Sequence, residues 1–200
     1  METVLVAGRT CGSCNVCCVL PTIDDPSLQK LPGYRCHNAL PDGACGIYEA
    51  RPPLCRVFYC GWRQLKWIRE GLRPDLSGVF VRMSKDAASL PGQERFVVSF
   101  TLINAESLSA PGLAESLAAS IHANIETFLI VPGPPGHTGS RIPLNDLLGD
   151  AIRQRDKDTI LRILGELHAE ALATSNNRPV ILSSYGEAAA ERRADARNEP

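Results

Sequence analysis

The residues of this chain best suited to chemistry are its eight cysteines, all of which lie between Cys11 and Cys60. Cys11-Gly12-Ser13-Cys14-Asn15-Val16-Cys17-Cys18 is a C-x2-C-x2-C-C run. A two-residue gap lets two thiolates converge on one centre, and a second such gap brings a third to the same place. Iron–sulfur loops of the ferredoxin type use this run with a remote fourth cysteine, whereas zinc knuckles use a single C-x2-C and a distant partner pair. The side chains of adjacent Cys17 and Cys18 diverge, which suits two centres, or one centre and a spare thiol, at least as well as one shared metal. Cys36, Cys45, Cys55 and Cys60 follow at gaps of eight, nine and four residues. Eight thiolates satisfy two tetrahedral four-thiolate sites, or one cluster with ligands to spare, and spacing leaves the connectivity open.

Such density has two physical explanations, a disulfide framework or a metal site. The opening segment has an acid, Glu2, where a signal peptide carries bases, and its apolar run ends after four residues. No stretch approaches the ~18 consecutive apolar residues of a membrane span. A soluble, cytoplasmic protein with reduced thiols is therefore expected, and reduced thiols at this density serve as metal ligands. The formal charge of −1 gives no footprint for a nucleic-acid partner, and 44% hydrophobic with 22% charged residues describes a globular chain. From Arg9 to Arg63 the bases Arg9, Lys30, Arg35, Arg51, Arg56 and Arg63 outnumber the acids Asp24, Asp25, Asp42 and Glu49 by two. That surplus would balance a four-iron cluster on four thiolates, while two zinc ions on eight thiolates would leave the module negative; water tolerates either.

The cysteine run, then Cys36, then Gly43-Ala44-Cys45-Gly46-Ile47-Tyr48, then Arg51-Pro52-Pro53-Leu54-Cys55-Arg56-Val57-Phe58 resembles the CxxCxxCC family. These are zinc- or iron-chelating proteins, also called YkgJ-type cysteine-cluster proteins. The match covers residues 9–61. The resemblance implies metal chelation through Cys11, Cys14, Cys17, Cys18, Cys36, Cys45, Cys55 and Cys60. A related cysteine pattern in flagellin lysine methylases goes with an iron–sulfur cluster, so the resemblance permits an enzyme. The C-x3-C-x2-C of radical-SAM enzymes is absent from the sequence.

The other candidates read more simply. His37 adjoins Cys36 and points elsewhere, while His122, His137 and His168 suit packing or solvent. Asp24-Asp25 before Pro26 suits a solvated turn rather than an acid–base pair. Trp62 and Trp67 beside Arg63, Lys66 and Arg69 could form a basic aromatic surface, but a helix packing its aromatics onto the cysteine module is the simpler expectation. Arg51 and Arg56 could donate to cysteine sulfurs or form surface salt bridges. Gly133 and Gly136 lack the Lys-Ser/Thr of a phosphate loop, so no nucleotide cofactor is expected. The catalytic residues of any enzymatic activity are unknown.

The elements that must position the thiols divide by composition. Residues 1–75 form the cysteine module, punctuated by Pro32-Gly33, Pro41-Asp42-Gly43 and Pro52-Pro53, with one helix expected from Gly61 to Glu70. A module so rich in loops needs a staple, which metal would supply. Residues 76–175 form an α+β half. Its expected strands are 78–83 and 95–103, antiparallel around Pro91-Gly92, and a third at 128–131. Helices are expected over 113–125, 145–154 and 156–174, the last capped by Asp156. Residues 176–200 read as a short extended piece and a mobile tail. The fold class is thus α+β, a loop-rich, metal-stapled cysteine module packed on helices and a short antiparallel sheet. The expected function is chelation of zinc or an iron–sulfur cluster, followed by an iron–sulfur redox protein or enzyme component, and then by a cysteine thiol switch.

Overall fold

The computed structural model describes residues 4–85, 95–174 and 177–183. In the cysteine-bearing part, turns dominate, as the prolines and glycines dictate. One hairpin there has no clear sequence signal, β1 (Ile23–Asp25) against antiparallel β2 (Leu28–Lys30). Asp25 makes its turn, the carboxylate accepting from the Ser27 N–H at 2.9 Å. Asp24 accepts from the backbone N–H of Ser183 at 2.8 Å, so the pair ties down structure. Two short helices follow, α1 (Pro53–Val57) and α2 (Gly61–Gln64).

The expected helix from Gly61 to Glu70 stops after Gln64. Its cause is Arg9, whose guanidinium donates to the carbonyls of Trp62 at 2.6 Å, Leu65 at 3.3 Å and Ile68 at 2.6 Å. Backbone acceptors that an α-helix would satisfy internally are met by one side chain, which lets the segment unwind without leaving orphans. Trp62 Nε1 donates to the Glu70 carbonyl at 2.9 Å and closes the loop. Trp62, Leu65, Ile68 and Leu72 enter the main core, and Trp67 packs on it while donating to Ser120 at 3.0 Å. The tryptophans thus pack into the core of the sheet half, with the Arg9 guanidinium 5.4 Å from the Trp62 ring centroid.

Beyond α3 (Pro74–Ser77), the sheet runs β3 (Val79–Lys85), β4 (Phe96–Leu102), β5 (Glu126–Val131) and β6 (Ser140–Pro143), in that spatial order. β3 and β4 are antiparallel as expected, with Val79 opposite Leu102; the turn containing Pro91-Gly92 lies outside the described residues. β4 and β5 are parallel, so the sheet is mixed rather than purely antiparallel. Their connection includes α4 (Leu113–His122), the crossover element that parallel neighbours require. Asn124 at φ 55° ends that helix region, earlier than the expected 125. β6 was not anticipated, because its four residues alternate weakly and include a proline.

Period-two alternation gives the sheet two faces. Val79, Val81, Val98, Phe100, Leu102, Leu129 and Val131 face α4, α5 (Asn145–Arg153) and α6 (Lys157–Ala173) across the main core. Asp156 caps α6, accepting from the Thr159 N–H at 3.0 Å, as the sequence indicated. Phe100, Leu117, Leu129, Leu148 and Leu164 are at most 1% exposed, each burial contributing roughly 2 kcal/mol. The second cluster is Ile23, Leu28 and Cys36 with Cys18, Ala39, Leu54 and Cys55 against it, which is too small to order the cysteine loops by packing alone. Residues 177–182 form no helix, and Pro179 is bridged to His137. Most of the expected tail lies outside the described residues.

Candidate metal centre

All eight cysteines are free thiols. The run Cys11–Cys18 folds as successive tight turns, the Cys14 N–H donating to the Cys11 carbonyl at 2.9 Å and the Cys18 N–H to the Asn15 carbonyl at 2.7 Å. Gly12 permits the first of these at φ 54°. Arg73 anchors it from outside, donating to the Cys11 carbonyl at 3.1 Å and the Ser13 hydroxyl at 3.2 Å while paired with Asp75 at 2.8 Å.

Neighbourhood divides the thiols into two sets. Cys14 feels the charges of Asp75 and Cys60, Cys60 that of Cys11, and Cys17 that of its neighbour Cys18 first and then those of Cys14 and Cys11. Cys11, Cys14, Cys17 and Cys60 therefore form one set, beside the main core on which Cys60 packs. Cys55 feels Cys18, Cys36 and Cys45. Packing supports this second set: Cys18 and Cys55 lie against the cluster containing Cys36. The Cys36 N–H donates to the Cys18 carbonyl at 2.9 Å, and Cys45 bridges Ala39. Adjacent Cys17 and Cys18 belong to different sets, and a side-chain hydrogen bond links them.

Burial sets the protonation of several thiols. It pushes Cys14 up to about 11, with nearby Asp75 adding to the effect. Cys60 and Cys55 are also raised, mainly by burial. The Cys17–Cys18 hydrogen bond stabilises the Cys18 thiolate and keeps the proton on Cys17, so Cys18 is lowered and Cys17 raised. Lys30, Arg35 and Arg51 reinforce the lowering at Cys18.

Lys30 carries no sequence signal beyond its charge. It is only 5% exposed, and its Nζ donates to the carbonyls of Val19 at 2.6 Å and of Leu31 and Tyr34 at 3.0 Å. Burial lowers its pKa, while Cys36, Cys18 and Cys17 oppose that. Buried lysines need a counter-charge, and among the described residues these thiols are the groups able to supply it. The two arginines weighed from sequence part company. Arg51 acts on Cys18 and Cys55 while its guanidinium lies 3.6 Å from the Tyr48 ring centroid. Arg56 straps the backbone, donating to the Arg51 carbonyl at 2.7 Å and the Glu49 carbonyl at 3.2 Å. His37 lies beside Asn38, and His168 is buried in α6.

The donor chemistry fits a thiophilic metal. As they stand, however, no three Cys, His, Asp or Glu side chains among the described residues converge closely enough to hold an ion. No helix there is long and apolar enough to cross a membrane. No family model, curated protein or solved structure matches this chain.

Proposed function

We propose that this is a metal-chelating protein with two four-thiolate sites, Cys11, Cys14, Cys17 and Cys60 at one and Cys18, Cys36, Cys45 and Cys55 at the other. The reading rests on the division of neighbouring thiols into two sets of four. The first site repeats the C-x2-C-x2-C-plus-remote-cysteine arrangement of an iron–sulfur loop. Four dispersed cysteines in the second suit a closed zinc site. Zinc at both would make the module structural, and a cluster at the first would add electron transfer. Loading requires the thiols to shed protons and close on the metal, so binding and ordering of these loops are one event.

The test is paired substitution with metal analysis of anaerobically purified protein. Cys14→Ser is expected to remove the metal of the first site and keep that of the second, and Cys45→Ser to do the reverse. Complete loss of metal from both variants while they stay folded would replace two sites by one shared centre. Unchanged metal in either would remove that cysteine from the ligand set.

A further inference from the structure

The sheet face turned away from the helices is polar at its centre and forms the floor of a cavity of about 550 Å³. Register fixes its layout. Arg82 stands opposite Ser99, Ser99 beside Phe128, and in the neighbouring row Thr101 lies beside Ile130 and Ile130 opposite Arg141. The Arg141 guanidinium reaches back over the sheet to lie 3.3 Å from the Phe128 ring centroid. Ser99 therefore sits between two guanidinium-bearing positions, with Arg82 one strand away on one side and the Arg141 head one strand away on the other. At about 4.8 Å per strand, a ligand roughly 10 Å long spans all three.

The polar groups of this floor are not spent on the fold. Ser99 and Thr101 are 7% and 8% exposed, and neither hydroxyl has a hydrogen-bond partner among the described residues. Arg82 has no carboxylate partner among them either, and Arg141 meets only the Phe128 ring. Lys85 and His137 also line the space, and no Asp or Glu among the described residues does. Guanidinium groups with no carboxylate partner among the described residues, over unpartnered hydroxyls that open into the cavity, match an anion that accepts forked hydrogen bonds. The volume is that of a small-molecule site.

The walls are built rather than incidental. Residues 20–22 and 32–33 of the cysteine module close one side, and residues 132–133 and 137–140 the other. The Gly136 N–H donates to the Pro32 carbonyl at 2.8 Å, and a Cβ at Gly33 would stand 3.0 Å from the Pro135 Cα. The Val180 N–H donates to the Gly136 carbonyl at 2.8 Å and adds a third strap to the rim. We infer that this cavity binds a small organic anion, a carboxylate or a phosphate ester, held over Ser99 between Arg82 and Arg141.

The experiment is titration calorimetry of the full chain, as purified, with glycerol 3-phosphate, citrate and inorganic phosphate, against sodium chloride at matched ionic strength. At least one anion should bind saturably at or below about 10 mM, a range that includes weak small-ligand affinities. Tightest binding by glycerol 3-phosphate or phosphate assigns a phosphate ligand, and by citrate a carboxylate. Arg82→Gln and Arg141→Gln should each weaken that binding about tenfold or more, as removal of a charge-assisted contact does. Arg162→Gln, which breaks only the pair with Glu166 on α6, should leave it unchanged. Circular dichroism confirms that the variants are folded. Absence of saturable binding by all three probes, or equal binding by both cavity variants and the wild type, overturns the inference.

Discussion

Ionising Cys14 places a charge where burial and Asp75 both oppose it, so the folded state holds that proton to about 11 against an ordinary value of 9.0. Cys60 and Cys55 lean the same way for the same main reason. At Cys14, Cys55 and Cys60, folding a metal-free chain thus favours bound protons, while Cys18 leans the other way. The stability they contribute is fully present below about pH 9 and is lost as pH rises through about 11. Metal reverses the sign, because thiolate ligands compete with protons and the loaded protein weakens as pH falls. Thermal midpoints measured across pH, with and without a chelator under reducing conditions, should show opposite slopes. Parallel slopes would mean that the thiols are not the ligands. Such opposition was invisible in the spacing of the cysteines, which shows which residues can converge but nothing of their burial. The division of Cys17 from Cys18 was partly legible, since adjacent side chains diverge, whereas Lys30 was not. A lysine at the end of a three-residue strand looks like any exposed base until its three carbonyl partners are in place.

Elements were legible where the hydrophobic period was long and uninterrupted. The β3–β4 pair, α5 and the Asp156 cap of α6 follow from alternation, four-residue repeats and capping chemistry. The segment after Gly61 was not, because Arg9 acts on it from more than fifty positions away. Arg9→Ala should leave three carbonyls without their donor and cost about 2 kcal/mol in urea unfolding, the scale of charged hydrogen bonds. Arg9→Lys, which keeps the charge but not the forked geometry, should recover only part of the loss. An Arg9→Ala variant as stable as the wild type would show that the strap contributes nothing. α2 also meets the sheet at close range, since a Cβ at Gly61 would lie 2.5 Å from Val81 Cγ1 and 3.2 Å from the Val81 carbonyl oxygen. Gly61→Ala should therefore destabilise by roughly 1–3 kcal/mol through overpacking, although alanine is the better helix former. A gain in stability, read from the same urea curves, would place the clash elsewhere.

At the scale of the whole molecule, two cores of very different size share one chain. The larger joins the sheet to α4, α5 and α6 and takes in Trp62, Leu65, Ile68 and Leu72 from beyond the last cysteine. The smaller has three buried residues, one of them Cys36. What orders the loops around it, on this account, is metal held by thiolates drawn from both ends of the cysteine sequence. The same loops wall the cavity over the polar sheet face, so the cysteine module also shapes that space. The measurement that bears most directly on this account is elemental analysis of anaerobically purified protein, joined to thiol titration before and after chelation. Zinc, or iron with acid-labile sulfide and visible absorption, is expected, with most of the eight thiols unreactive until the metal is withdrawn. Protein that is folded, free of zinc and iron, and titrates all its thiols at once would contradict it.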